Sequence, residues 1–299
     1  MRSSDDTPCS IAASKSVLLA CAVISFSLAL ALWMGWSLAG TPATGTPGTS
    51  PSGATDEAEV VYIPAGEFTR GHDSTYDTKP VRRINLPAFY IDKYEVTDKR
   101  YKRFIDATGY KVPWSQDPAV AAYAWDWQQR IYPAGKGDDP AVLVSWEDAR
   151  AFCAWAGKRL PTEAEWEKAA RGPNGKIYPW GNDWTNGKAN TAESGLKQTS
   201  PVDAFKEDVS EYGVYDTAGN VSEWVEEWFA PYPDNPIISY EERNKYKVLR
   251  GGSWDYAHSI ANGYHRQYAL PQSQMAAIGF RCVRAADEAG GAPPRPQTR

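Results

Sequence analysis

Histidine is scarce in this chain, with His72, His258 and His265 the only three in 299 residues. So few imidazoles exclude a histidine-rich metal domain. A basic excess is missing too: 32 Lys and Arg stand against 37 Asp and Glu, giving a net charge of -5. Without a broad positive field there is nothing to attract a polyanion, which excludes nucleic acid as a partner. Cysteine is limited to Cys9, Cys21, Cys153 and Cys282. What abounds is aromatic and turn-forming: 13 Trp, 17 Tyr, 24 Gly and 22 Pro. That mixture predicts a loop-rich α+β domain with an aromatic core rather than a bundle of long helices.

Charge is also absent from Val17 to Ala39, "VLLACAVISFSLALALWMGWSLA", 23 residues in which a helix would cross a hydrocarbon layer about 30 Å thick. Arg2 and Lys15 precede it and no Lys or Arg follows until Arg70. The positive-inside bias therefore predicts a cytoplasmic tail (1–16), an uncleaved transmembrane anchor (17–39) and an exported remainder, placing the protein in the inner membrane with its domain in the periplasm. A cleaved signal peptide ending at Ser37-Leu38-Ala39 is the competing reading, although signal h-regions run only about 7–15 residues. Residues 40–59 have too little apolar material to bury and read as a flexible linker, as does the tail 286–299.

Export leaves Cys153 and Cys282 as the only thiols in an oxidising compartment, which favours one disulfide over two buried free thiols. Closing a loop of roughly 130 residues would stabilise the fold by about 5 kcal/mol on the chain-entropy account.

Within the domain, 60–285, "EVVYIPAGEF" and "INLPAFYIDKYEVT" alternate as strands do. Thr97 caps a helix that places Tyr101, Phe104 and Ile105 on one face and stops at Gly109. Val142–Val144 read as a strand, followed by a helix capped by Ser145 with Ala149, Phe152, Cys153 and Ala156 inward. Thr162 and Glu165 match a capping box. From there to Glu223, Gly, Asn, Asp and Pro predominate, and such ordered loops need something other than a ladder to hold them.

Six stretches in order, "VSWEDARAFCAWAGKRLPTEAEWEKAARG", "YPWGN", "SPVDAF", "YGVYDTAGNVSEWVEEWF", "RGGSW" and "GFRCVRA", resemble the formylglycine-generating enzyme or sulfatase-modifying factor superfamily. The resemblance implies a variant of the C-type-lectin fold from Val60 to Ala285. It also implies a Cys153–Cys282 disulfide; a second family disulfide would need Cys near Ala169 and Arg266, and both are absent. Members include the formylglycine-generating oxidase, iron-dependent sulfoxide synthases, a pyoverdine maturation enzyme and proteins encoded beside nitrite reductases, so fold does not settle chemistry.

By the same resemblance "YDTAGNVSE" is similar to a calcium loop, with Asp216 and Glu223 offering carboxylates and Gly219 and Val221 offering carbonyls, hard oxygens of the kind Ca²⁺ prefers. Asn190 and Thr191 are similar to a second calcium site, with Ser194 where an acid is common. An Asp/Asn-rich turn bonding to its own backbone is the alternative for both.

The oxidase carries two cysteines after "GGS" that bind copper(I) and grip the substrate thiol, work that requires sulfur. Here the matching positions are Tyr256 and Ala261, so copper and formylglycine formation are not expected. Ser222 replaces a family Trp beside the pocket, a sign of a reshaped cavity. Ser253, Tyr256, His258 and His265, with Arg250, Trp254 and Arg266, have the mixture of hydroxyls, proton carriers and cations that a cleft for a peptide or small aromatic metabolite uses. For Arg250 and Trp254 the simpler reading is packing under the Gly-Gly turn. The expected role is maturation of another exported enzyme or metabolite. A non-catalytic binding or scaffold module is one alternative, and an oxidative maturation enzyme using a His/Tyr pocket is the other.

Overall fold

Alternating apolar and polar residues pair three strands around a first small sheet: β1 (Val60–Ile63) and β9 (Val283–Ala285) flank β4 (Phe89–Asp92), both antiparallel. β2 (Gly66–Arg70) and β3 (Arg82–Leu86) form a two-stranded ribbon. In this computed structural model the described residues are Asp56, 58–233, Asn235 and 244–286. The expected cytoplasmic tail, transmembrane anchor, most of the linker and the C-terminal tail lie outside them. Among the described residues no helix is long and apolar enough to cross a membrane.

Three helices start and stop where their caps dictate. In α1 (Asp98–Thr108) the Thr97 hydroxyl accepts the Arg100 amide, and Gly109 ends the helix in the left-handed region at φ 71°. α2 (Trp146–Trp155) and α3 (Glu163–Arg171) both begin with complete capping boxes, Ser145 with Asp148 and Thr162 with Glu165. The four-stranded sheet has the order β7 (Arg266–Ala269), β6 (Lys247–Arg250), β5 (Ser222–Trp228), β8 (Ile278–Gly279). The fold is mixed α/β and loop-rich.

The core is aromatic. Tyr101, Phe104, Phe152 and Phe280 are buried and meet mostly edge to face, with Tyr101 and Phe152 stacked at 5.7 Å. Cys153 and Cys282 join α2 to the chain before β9 within this core.

Two expectations about local structure need correction. Val142–Val144 is buried, but it is not a strand: Leu143 sits at φ 57° and its amide bonds the Met275 carbonyl instead of a ladder partner. The apolar run recorded burial, not periodicity. Within the expected linker Asp56 is docked, because it accepts hydrogen bonds from Arg100 Nη2 at 2.5 Å and Lys158 Nζ at 2.9 Å, a contact composition cannot reveal.

Candidate functional site

Residues 251–265 leave the sheet between β6 and β7, and the two strands close beneath them with Arg250 opposite Arg266 in register. Both guanidiniums reach one carboxylate on α3. Arg266 is bidentate on Glu163 at 2.6 and 3.0 Å, while Arg250 bridges Glu163 at 2.9 Å and Glu167 at 3.0 Å. Burial opposes the charge on Glu163, yet the Arg266 and Arg250 charges hold its carboxyl below the usual range. Arg250 is thus a structural clamp at the foot of the excursion.

The glycine pair lets this excursion touch the 216–220 loop. A Cβ on Gly252 would stand 2.3 Å from the Ala218 carbonyl oxygen and 2.9 Å from the Ala261 Cβ, so no side chain fits. Gly251 adopts φ 80° with the Trp166 ring alongside. Ala261, one of the two positions where thiolates were in question, is wholly buried here. Tyr256, the other, is half-buried; burial first and the Asp255 charge second raise its phenol pKa.

Beside the turn lies a cavity of about 340 Å³ whose walls include Trp254, Asp255, Tyr123, Gln274 and Met275. Trp254 stacks on Tyr123 at 6.4 Å and donates its indole N–H to the Ala276 carbonyl. Ser253 is buried and donates its hydroxyl to Asp255 at 2.6 Å. A neighbouring cavity of about 380 Å³, with Trp114, Trp127 and Lys111, shares Gln274 with the first. Together they give an aromatic cleft with few charges, the surface an extended apolar ligand needs.

The histidines go elsewhere. His258 opens a single 3-10 turn, His258–Ile260, and its Nδ1 lies 2.7 Å from Glu193 Oε1 while its ring stacks on Trp184. Burial works against the Glu193 charge, but the His258 amide, the His258 ring and the Thr191 hydroxyl hold its carboxyl down to about 2. His265 lies near Asp77 and Arg250, and burial lowers its pKa. His72 stacks on Tyr264 at 4.1 Å. Among the described residues no three His, Cys, Asp or Glu side chains converge as a metal site.

The two loops similar to calcium sites abut, since a Cβ on Gly219 would meet the Asn190 backbone at 2.5 Å. Asn190 is fully engaged by protein: its amide donates to Gln198, Ser200 and Asn220, and its oxygen accepts from Ser194. The Thr191 carbonyl accepts the Ser194 amide. This pair has the geometry of a hydrogen-bonded turn. Glu223 is also occupied, by Arg281 at 2.7 Å on each oxygen and by the Trp166 indole at 2.9 Å. Asp216 differs, because its buried Oδ2 has no partner. Burial, then the Glu95 and Asp208 charges, push its carboxyl well above the usual range, and burial raises Asp208 to about 7. An orphaned carboxylate oxygen amid further acids fits a cation held by Asp216 with backbone carbonyls.

Sequence reasoning missed Glu163, Glu167, Glu193, Glu95 and Asp208. Only the first two left a signal: they lie four apart on the helix face of Trp166 and Ala170, both buried, where an acid needs a partner.

Residues 46–286 match the sulfatase-modifying factor enzyme 1-like domain. The formylglycine-generating enzyme of Bos taurus is 34% identical over 79% of this chain and 78% of its own length. The inactive C-alpha-formylglycine-generating enzyme 2 of the same organism is also 34% identical, over 79% of this chain and 89% of its own. Among solved structures, PvdO from Pseudomonas aeruginosa superposes with a TM-score of 0.65 at 30% identity, covering 78% of this chain and 96% of that one.

Proposed function

We propose, from the premise that this chain belongs to the sulfatase-modifying factor enzyme 1-like domain family, that it matures another exported protein or metabolite without generating formylglycine. The observation that carries this reading is chemical: Tyr256 and Ala261 stand where copper(I) needs thiolates, and Ala261 is sealed against Gly252. The two remaining cysteines of the domain are joined to each other. These residues do not fit copper. The family itself contains relatives named as active and as inactive, so membership is compatible with a changed task.

In this reading the aromatic cleft of Trp254, Tyr123, Trp114 and Trp127 receives the client, and Asp255, fixed by Ser253, orients it. His258 stands with its Nδ1 on Glu193, a proton carrier that supports the oxidative His/Tyr alternative; a purely binding module would leave His258 idle. Calcium at Asp216, with the Gly219 and Val221 carbonyls, would lock the 216–223 loop beneath the Gly-Gly turn. The apolar run 17–39 would hold the domain at the periplasmic face of the inner membrane.

The test is an assay of the purified chain, loaded with copper(I) under oxygen, on a sulfatase-type cysteine peptide. No aldehyde is expected, and aldehyde formation overturns the reading. In the producing cell, Trp254→Ala should leave an unmatured exported species; exported products identical to those of the unaltered strain would remove the maturation role.

A further inference from the structure

A separate cavity of about 220 Å³ opens where the first turn of α3 meets the chain after β5, and it shares no wall residue with the cleft beside the Gly-Gly turn. Arg70, Glu163, Glu227, Trp228, Tyr232 and Arg266 are among its walls, with Ala164, Ala230 and prolines completing an apolar lining. Charge is unbalanced around it. Glu163 and Glu167 already face three guanidiniums, since Arg266 and Arg250 hold Glu163 while Arg250 and Arg171 hold Glu167. Arg70 is a fourth. Its guanidinium carbon lies 4.1 Å from the Tyr232 ring centroid, its side chain has no hydrogen bond or ion pair among the described residues, and its Nε is buried without a partner. A buried cationic donor left unmade is costly, so an anion is the missing component.

We propose that this cavity binds a small monocarboxylate with an aromatic or branched apolar body, its carboxylate on Arg70 and its body against Trp228, Tyr232 and Pro231. A planar carboxylate matches the guanidinium fork. A phosphate dianion does not suit a cavity that also contains Glu163 and Glu227. Glu227 refines the choice. Burial first, and the Glu163 charge second, raise its carboxyl to about 7, even though the Glu163 amide donates to its Oε2 at 2.8 Å. The other charged groups facing it are Glu165 on α3, Arg159 before α3 and Lys247 on β6. Protonated, Glu227 donates to the ligand carboxylate; ionised, it repels it. Affinity therefore falls as pH rises through neutrality.

Titration of the purified full chain in detergent, with benzoate as probe and benzamide and benzylamine as its neutral and cationic counterparts, tests this. Benzoate is expected to bind at one site near pH 6, about tenfold more weakly near pH 8, and both counterparts at least about tenfold more weakly than benzoate. Arg70→Gln should lose at least about tenfold in benzoate affinity with its melting temperature unchanged, and Glu227→Gln should bind with no pH dependence. Benzamide or benzylamine binding as tightly as benzoate, no benzoate uptake near pH 6, or undiminished binding by folded Arg70→Gln would overturn the proposal. Should Arg70→Gln fail to fold, the three probes on the unaltered chain decide alone.

Discussion

Two buried charge clusters meet at Trp166, and they are unbalanced in opposite senses. On one side Arg250, whose guanidinium lies 5.5 Å from the Trp166 ring, joins Arg171 and Arg266 around Glu163 and Glu167. On the other the Trp166 indole donates to Glu223, the member of the group Glu95, Asp208, Asp216 and Glu223 that Arg281 clamps from both oxygens. Burial is the same in both, with Glu163 6% and Asp216 3% exposed. The carboxyls nonetheless shift in opposite directions, Glu163 down and Asp216 up. Partners, not depth, set the sign. The cation-rich cluster borders a buried, unpartnered Nε at Arg70, and the acid-rich one a buried, unpartnered Oδ2 at Asp216.

The comparison breaks most violently at Glu163. Glu163→Gln removes the charge that Arg250 and Arg266 share, and should cost about 3–5 kcal/mol in urea unfolding. A loss below about 1 kcal/mol would mean that the clamp does not hold the excursion. On the acidic side Asn220, at φ 67°, donates to Glu95 at 2.7 Å and accepts the Ser200 amide at 3.0 Å. Asn220→Ala strands both partners in a conformation alanine disfavours, and a loss of about 2–3 kcal/mol is expected. The exposed pair Arg83–Glu67, at 3.2 Å, sharpens the contrast from the other end. Its double-mutant cycle should return less than about 0.5 kcal/mol, and a larger coupling would show that burial is not what separates these clusters from the surface.

How much of this was legible depended on whether the information was local. The ends of α1, α2 and α3 follow from Thr97, Ser145, Thr162 and Gly109, because a cap acts on amides within a few residues of itself. The Cys153–Cys282 bond was legible because residues 60–285 offer no third thiol. Leu143 was misread because an apolar side chain reports burial and not backbone angle. The site was harder. His258 finds Glu193 across 65 positions, and Glu163 finds Arg266 across 103, distances at which only topology decides who meets. The seven residues expected in one cleft accordingly separate: Trp254 lines it with Ser253 behind Asp255, Tyr256 is not among its walls, Arg250 and Arg266 clamp Glu163 at the foot of the excursion, and His258 and His265 turn to other partners.

Calorimetric melting of Asp216→Asn and the unaltered chain between about pH 5 and pH 8, both in a Glu227→Gln background so that this raised carboxyl drops out, tests the charge account directly. Asp216, Glu95 and Asp208 have folded pKa values above their unfolded ones, so their stabilisation is complete below about pH 4 and is lost as pH climbs, for Asp208 through about 7. Glu163 and Glu165 are lowered, and their contribution is lost only in acid, below this window. In chelator the unaltered chain should melt progressively lower toward pH 8, more steeply than Asp216→Asn. Calcium at about one hundred times its Kd should restore about 2.7 kcal/mol at pH 8 and far less at pH 5, with Asp216→Asn unresponsive. Parallel pH profiles for the two chains, with calcium moving neither, would contradict it.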